Sequence, residues 1–264
     1  MIKLIFLARR YLSYLFTSKT RYTIHSPFVY QLVQEVLRDP TQYQDYQVLD
    51  SVRKSLLENT NLIETVDFGT GAGEKKYSTS VHPVGKLVKL RSHRKQQLEM
   101  LYRLVRHFKP RTLLEFGTAA GVSGSYLKMA HPGSRMITME GCSGLAAVAE
   151  TVFGDLKLSG IQVLVGDFDA LLPSVLQQLD QLDFVFFDGN HRKEPTLSYF
   201  YRCLPLSNEL SVFIFDDIHW SPGMEAAWKE IKKEDAVSLT IDLFWFGMVF
   251  FRKGIQKQDF IIRY

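Results

Sequence analysis

The distribution of apolar and polar positions changes character near Arg111. Beyond that point short apolar runs alternate with stretches whose apolar residues recur at helical spacing, the mark of βαβ units and a parallel sheet. The runs cover residues 112–116, 136–140, 162–165, 184–187, 212–215, 239–243 and 248–251. Between them, Leu145, Val148, Ala149, Val152 and Leu156 mark one helix face, and Leu197, Phe200, Tyr201 and Leu204 another. Strands so uniformly apolar require a sheet covered on both sides. The last two runs are separated only by residues 244–247, too few for a crossover helix, so they are expected to pair antiparallel at or near the sheet edge.

The front of the chain reads differently. Residues 1–16 and 29–38 each have a helical pattern, and Ser26 is placed to cap a helix with Pro27 in its first turn. Residues 97–108 are amphipathic, with Leu98, Leu101, Tyr102, Val105 and Phe108 on one face, and lead directly into the first run. Residues 61–84 show no clear period. The expected division is a helical N-terminal segment, 1–95, and a second domain, 96–264.

Two segments compete as a ligand loop: Val66-Asp-Phe-Gly-Thr-Gly-Ala-Gly73 and Leu113-Leu-Glu-Phe-Gly-Thr-Ala-Ala-Gly-Val-Ser-Gly124. A loop that lets a ligand approach the backbone needs glycine directly after a strand and a helix directly behind it. Only the second has that setting. The first runs into a poor helix start, and Gly69, Gly71 and Gly73 are read as serving a turn. In the second loop Ala119 stands where a dinucleotide site has its second glycine, which disfavours a pyrophosphate and hence NAD. One carboxylate at the end of the following strand can accept from both hydroxyls of a ribose. Glu140 stands there, 23 residues beyond Gly117.

With these motifs the sequence resembles the class I S-adenosylmethionine-dependent methyltransferases. The resemblance rests on Glu115-Phe-Gly-Thr-Ala-Ala-Gly121, Glu140, Val165-Gly-Asp-Phe-Asp-Ala170, Asp183-Phe-Val-Phe-Phe-Asp-Gly-Asn-His191 and Phe213-Ile-Phe-Asp-Asp217, in that order, and spans residues 95–252. It implies an α/β, Rossmann-like, doubly wound sheet of seven mostly parallel strands with an antiparallel C-terminal hairpin. It also implies S-adenosyl-L-methionine as cofactor. The implied cofactor residues are Glu115, Gly117, Thr118, Ala119, Gly121 and Ser123 around the methionine part, Glu140 and Gly141 at the ribose, Asp167 and Phe168 at the adenine, and Asp188. For Asp167, a cap on the following helix is an equal alternative.

Asp188 closes the fourth run, and Asp216 and Asp217 close the fifth. In a parallel sheet the carboxyl ends of neighbouring strands share one edge, where three carboxylates repel unless a cation or a proton intervenes. Oxygen ligands without a cysteine cluster favour a hard ion, Mg²⁺ before Mn²⁺ or Ca²⁺, over zinc. Here the sequence is similar to the cation-dependent O-methyltransferases of the catechol and caffeoyl-coenzyme A type, in which an Asp and an Asp-Asn pair hold the ion. The pair in this chain is Asp216-Asp217, and His191 stands where those enzymes carry a lysine base. Asp188-Gly-Asn-His191 is also similar to a related group of bacterial small-molecule methyltransferases.

The resemblance implies methyl transfer to a hydroxyl of a small molecule, with Asp188, Asp216 and Asp217 on the cation and Asp188 and His191 catalytic. A histidine, with an ordinary pKa of about 6.5, suits the task of taking the hydroxyl proton. His219, Trp220 and His25 are further pocket candidates, with packing or a helix junction as the plainer reading. In such enzymes residues placed like 1–60 cover the substrate or form a homodimer interface.

Composition narrows the alternatives. With 264 residues, 46% apolar and 23% charged, the chain is neither disordered nor fibrous. Its longest apolar stretch, residues 243–251, is about half a bilayer span, so no transmembrane helix or membrane partner is expected. The start lacks a small-residue cleavage site, and Cys142 and Cys203 make no disulfide framework, so a reducing, cytoplasmic setting is expected. The net charge of +4 conceals a split: 18 Lys/Arg against 9 Asp/Glu in residues 1–110 (+9), and 14 against 19 in residues 111–264 (−5). Between Lys75 and Lys109 basic residues face a single acid, Glu99, a density compatible with an RNA methyltransferase. The absence of an RNA-binding motif and of interleaved aromatics favours a solvated helix face. A non-catalytic, cofactor-binding relative and a dehydrogenase are the remaining alternatives.

Overall fold

The computed structural model describes residues 2–20, 23–67 and 78–264. Gly69, Gly71 and Gly73 of the first glycine segment, with Lys75 and Lys76, lie outside the described residues. In chain order the elements are α1 (Ile2–Thr17), α2 (Pro27–Leu32, continued by a π-helical turn, Val33–Leu37), α3 (Gln44–Glu58), β1 (Leu62–Asp67), β2 (Ser78–Pro83), α4 (Val84–Arg91) and α5 (Lys95–Phe108). They continue with β3 (Thr112–Phe116), α6 (Val122–Ala130), β4 (Arg135–Glu140), α7 (Ser143–Asp155), β5 (Ile161–Val165), α8 (Phe168–Leu176), β6 (Phe184–Phe187) and α9 (Lys193–Cys203). The last are β7 (Val212–Asp216), α10 (Pro222–Lys233), β8 (Leu239–Asp242), β9 (Phe246–Phe250) and β10 (Gln258–Ile261).

The chain forms two compact units, residues 39–175 and residues 1–38 with 176–264, so the N-terminal segment 1–95 is divided between them. In the first unit β4 lies between β3 and β5, parallel to both, with Glu115 opposite Thr138 and Glu140 opposite Val165. The apolar face of α5 buries Leu98, Leu101, Tyr102 and Val105 and packs on α6. In this unit α3, α4 and the antiparallel pair β1–β2, whose first strand packs on α7, went unread in the sequence.

In the second unit the strand order is β10-β8-β9-β7-β6. β6 and β7 are parallel, and β9 runs antiparallel to β7 and β8, so the expected hairpin is present. The near-continuous apolar runs arise because every residue of β6, β7 and β9 is buried; the Phe187 and Phe215 rings stack at 4.3 Å. β10, parallel to β8, makes eight sheet strands over the two units where seven were expected. It escaped the sequence pattern because Gln258 and Asp259 interrupt any apolar run.

Helix α1 is fastened to this unit along one side. Tyr14 donates to the Ile262 carbonyl (2.6 Å), and burial pushes its pKa up to about 12. Arg10 pairs with Glu225, and Tyr11 meets the Phe244 ring edge-on at 4.9 Å. At α2, Ser26 has the extended backbone of a cap residue and Pro27 starts the helix, but the Ser26 hydroxyl makes no cap bond. Among the described residues no helix is long and apolar enough to cross a membrane.

Candidate active site

The loop after β3 is shaped by three left-handed residues, Gly117 (φ 94°), Ala119 (φ 45°) and Gly121 (φ 78°). At Gly121 a side chain is excluded twice, by its backbone conformation and by Ala149 and Phe153, which a Cβ would meet at 3.0–3.1 Å. That contact sets α6 close against α7. Thr118 points inward, its hydroxyl 2.6 Å from that of Thr138, and it is fully buried. The loop therefore turns no bulky side chain outward.

Two carboxylates brace this loop. Glu115, 0% exposed, accepts from Ser123 (2.6 Å) and Thr138 (2.7 Å), tying the end of β3 to the first turn of α6 and to β4. Because the Thr138 proton goes to Glu115, Thr118 is the donor to Thr138. Glu115 thus supports the loop from beneath. Glu140, at the end of β4, accepts the Ala119 N–H (2.8 Å) and the Cys142 N–H (2.9 Å). Burial raises its pKa, opposed by those amides, that of Gly141 and the charge of Arg91. Arg91, in the last turn of α4, is a contributor that sequence reasoning missed, since nothing local links it to Glu140. Each Glu140 oxygen keeps acceptor capacity beyond the amide it receives, so the carboxylate fits a partner with paired hydroxyls.

Asp167 accepts the N–H groups of Asp169 (2.9 Å) and Ala170 (3.3 Å), so it does cap α8. Phe168, next in the chain, is half-buried with its ring edge-on to Phe116 at 5.7 Å.

In the other unit the acidic residues gather beyond β6 and β7. Asp216, the last residue of β7, is buried; Asp217 turns left-handed at φ 54° and stays half-buried. Donor atoms of His191, Asp216 and Asp217 lie within 4.8 Å of one another, as do those of Asp188 and Asp216. His191 Nε2 is 3.7 Å from Asp188 Oδ1, an ion-pair distance rather than a hydrogen bond. The turn that presents His191 is held by Asn190, left-handed at φ 56°, which donates to Tyr199 (3.2 Å) and accepts from Arg192 (2.7 Å). The carboxylates alone suit Mg²⁺ or Mn²⁺, and the imidazole provides a base beside three acids.

His219 is not a pocket residue but part of a buried network. Its Nδ1 and Nε2 lie 2.9 Å from Glu225 and 2.9 Å from Asp242, and its ring packs against Phe244. The Trp220 amide donates to the Asp217 carbonyl (2.9 Å), and His25 is exposed at the start of α2. In the basic segment Lys95 pairs with Asp50, Arg106 stacks over Tyr43 at 4.8 Å and Arg103 is buried, while Lys86, Lys89, Arg91, Arg94 and Lys109 are exposed.

Residues 114–218 match the sequence profile of a methyltransferase domain. No curated protein matches the sequence. Among solved structures, an O-methyltransferase from Bacillus cereus in complex with S-adenosylhomocysteine aligns at a TM-score of 0.56 and 20% identity, over 84% of this chain and 97% of its own. An O-methyltransferase of tomaymycin synthesis from Streptomyces achromogenes, in complex with S-adenosylmethionine, aligns at 0.54 and 22%, over 61% and 82%. A methyltransferase from Podospora anserina, bound to S-adenosylhomocysteine, aligns at 0.54 and 12%, over 81% and 99%. The profile match gives residues 114–218 as a methyltransferase domain, and these solved structures share the Rossmann-like α/β fold of the chain.

Proposed function

We propose that the protein transfers a methyl group from S-adenosylmethionine to a hydroxyl of a small molecule, with a divalent cation at the acidic group. The observation that carries the acceptor chemistry is the grouping of His191, Asp216 and Asp217 within 4.8 Å, with Asp188 3.7 Å from the imidazole. The O-methyltransferases of similar fold, one of them acting in tomaymycin synthesis, support the same reaction class.

When bound, the cofactor supplies an electrophilic methyl and the cation lowers the pKa of a coordinated hydroxyl. On this reading the loop at Gly117, Ala119 and Gly121 receives the methionine part, and Glu140 accepts from the ribose hydroxyls. Asp167 offers the carboxylate oxygen not used as the α8 cap to the adenine amino group, with Phe168 beside it. Asp216 and Asp217 hold the cation with Asp188. His191 takes the acceptor proton on Nε2, and Asp188 stabilises the imidazolium that results.

Calorimetry with S-adenosylhomocysteine tests the cofactor reading; absence of binding at high micromolar concentration would sink it. Methyl transfer to a panel of phenolic and sugar hydroxyls, with and without EDTA, tests the rest. Loss of transfer on chelation and its return with Mg²⁺ or Mn²⁺ is the expected result, and transfer indifferent to EDTA removes the cation.

A second prediction concerns pH. Glu140 accepts from hydroxyls in its ionised form, and burial raises its pKa. Cofactor affinity is therefore expected to fall on acidification from a pH above the ordinary carboxylate value of about 4.3. The fold responds with the opposite sign: a raised native pKa stabilises the folded state below the unfolded pKa, and that contribution is lost as pH rises through the native value. Weakening on acidification is thus not unfolding at this residue. Glu140→Gln is expected to weaken S-adenosylhomocysteine about tenfold and flatten the pH dependence; a variant with the wild-type profile would remove Glu140 from the ribose site.

A further inference from the structure

The side of α1 opposite its anchor has no covering partner among the described residues. At about 100° per residue, Ile5, Leu12 and Phe16 fall within about 20° of one line along the helix, and Tyr14 falls on the opposite side. Their exposures agree: Phe16 is 88% exposed, Ile5 61% and Leu12 55%, whereas Tyr14 is buried. The helix cannot roll this row inward, because Arg10, Tyr11 and Tyr14 hold it to Glu225, Phe244 and Ile262.

The sequence about the row carries charge of one sign. Residues 1–34 contain Lys3, Arg9, Arg10, Lys19 and Arg21 and no Asp or Glu. Arg9 and Lys19 are exposed, and exposed Arg263 donates to the Leu15 carbonyl at the same helix end. An apolar row flanked by cations is how a helix lies in the interfacial plane of an anionic bilayer. A second copy of the chain fits less well. A two-fold contact would bring the same cations face to face, and one row of three side chains falls short of the roughly 800 Å² per partner of a stable interface.

We infer that α1 is a peripheral docking face for an anionic lipid surface, with Ile5, Leu12 and Phe16 entering the headgroup boundary while Arg9 and Lys19 meet lipid phosphates and carboxylates. This departs from the expectation of no membrane partner and goes beyond the proposed reaction, on which it does not depend.

The test is co-sedimentation of the full chain with phosphatidylcholine vesicles, alone or with about one-third phosphatidylserine, at low and high salt. Binding is expected to the anionic vesicles only and to decline with salt. Leu12→Ser with Phe16→Ser is expected to weaken it about tenfold, and Arg9→Gln about fivefold. Because these side chains are exposed, the melting temperature should not move, which separates lost docking from lost folding. The inference is overturned if the chain ignores both vesicles, binds both equally, or is unaffected by the double substitution. It is also overturned if sedimentation equilibrium shows a dimer that the double substitution dissolves.

Discussion

Asp216→Ala is expected to lower kcat for methyl transfer by about two to three orders of magnitude and to leave S-adenosylhomocysteine affinity within about threefold. Asp216 is shared by both close groupings at this site, one with Asp188 and one with His191 and Asp217, and it is buried at the end of β7. Its loss removes the central carboxylate from any cation and leaves His191 with weaker support for a positive charge. His191→Gln should cost about 10²-fold near neutral pH through the missing base, and the deficit with a phenolic acceptor should shrink towards pH 10, where the phenol ionises unaided. A purely structural role for His191 would produce no such recovery. Single-turnover transfer against pH, with calorimetry on each variant, separates the cases. An unchanged kcat for Asp216→Ala would remove the acidic group from the reaction.

The glycine loop and the acids were legible in the sequence because the physics that fixes them is local. A glycine that must adopt φ 94° directly after an apolar strand is visible as Gly117 behind residues 112–116. Strands buried on both faces, such as β6 and β7, announce themselves as unbroken apolar runs. Helix α3 did not, because only Tyr46, Leu49 and Leu56 of its fifteen residues are buried, too sparse a stripe to fix a period. β1 and β2 mix Glu64, Thr65, Thr79 and Ser80 into their register and depend on each other for definition. Site chemistry followed the same rule. Asp167 could be read as a cap because its donors are two and three residues away. The inward commitment of Glu115 depends on Ser123 and Thr138, and the field on Glu140 depends on Arg91; only the folded chain brings these together.

His219 shows the same limit with the larger consequence for stability. Read along the chain it follows the acidic pair and looks like a pocket residue, yet its partners are six and twenty-three positions away. In the fold one imidazole bridges Glu225, which also receives Arg10 of α1, and Asp242, whose second oxygen accepts the Phe244 N–H at 2.8 Å. Both carboxylates are nine-tenths buried. Deleting the ring leaves Asp242 with one backbone donor and a buried oxygen facing a void, and removes a partner of Glu225. Breaking such a buried charged pair from one side costs about 3–5 kcal/mol. At about 2–4 °C per kcal/mol for chains of this size, His219→Ala is expected to lower the melting temperature by roughly 6–20 °C. Below that transition, S-adenosylhomocysteine affinity and kcat per folded molecule should stay close to wild type, because the network is made with side chains of α1, α10 and β8. Calorimetric melting and activity on the same preparations decide it. A variant that melts like wild type but fails in transfer would return His219 to the substrate pocket, and one that melts low and transfers normally fixes it as the tie between α1 and the C-terminal strands.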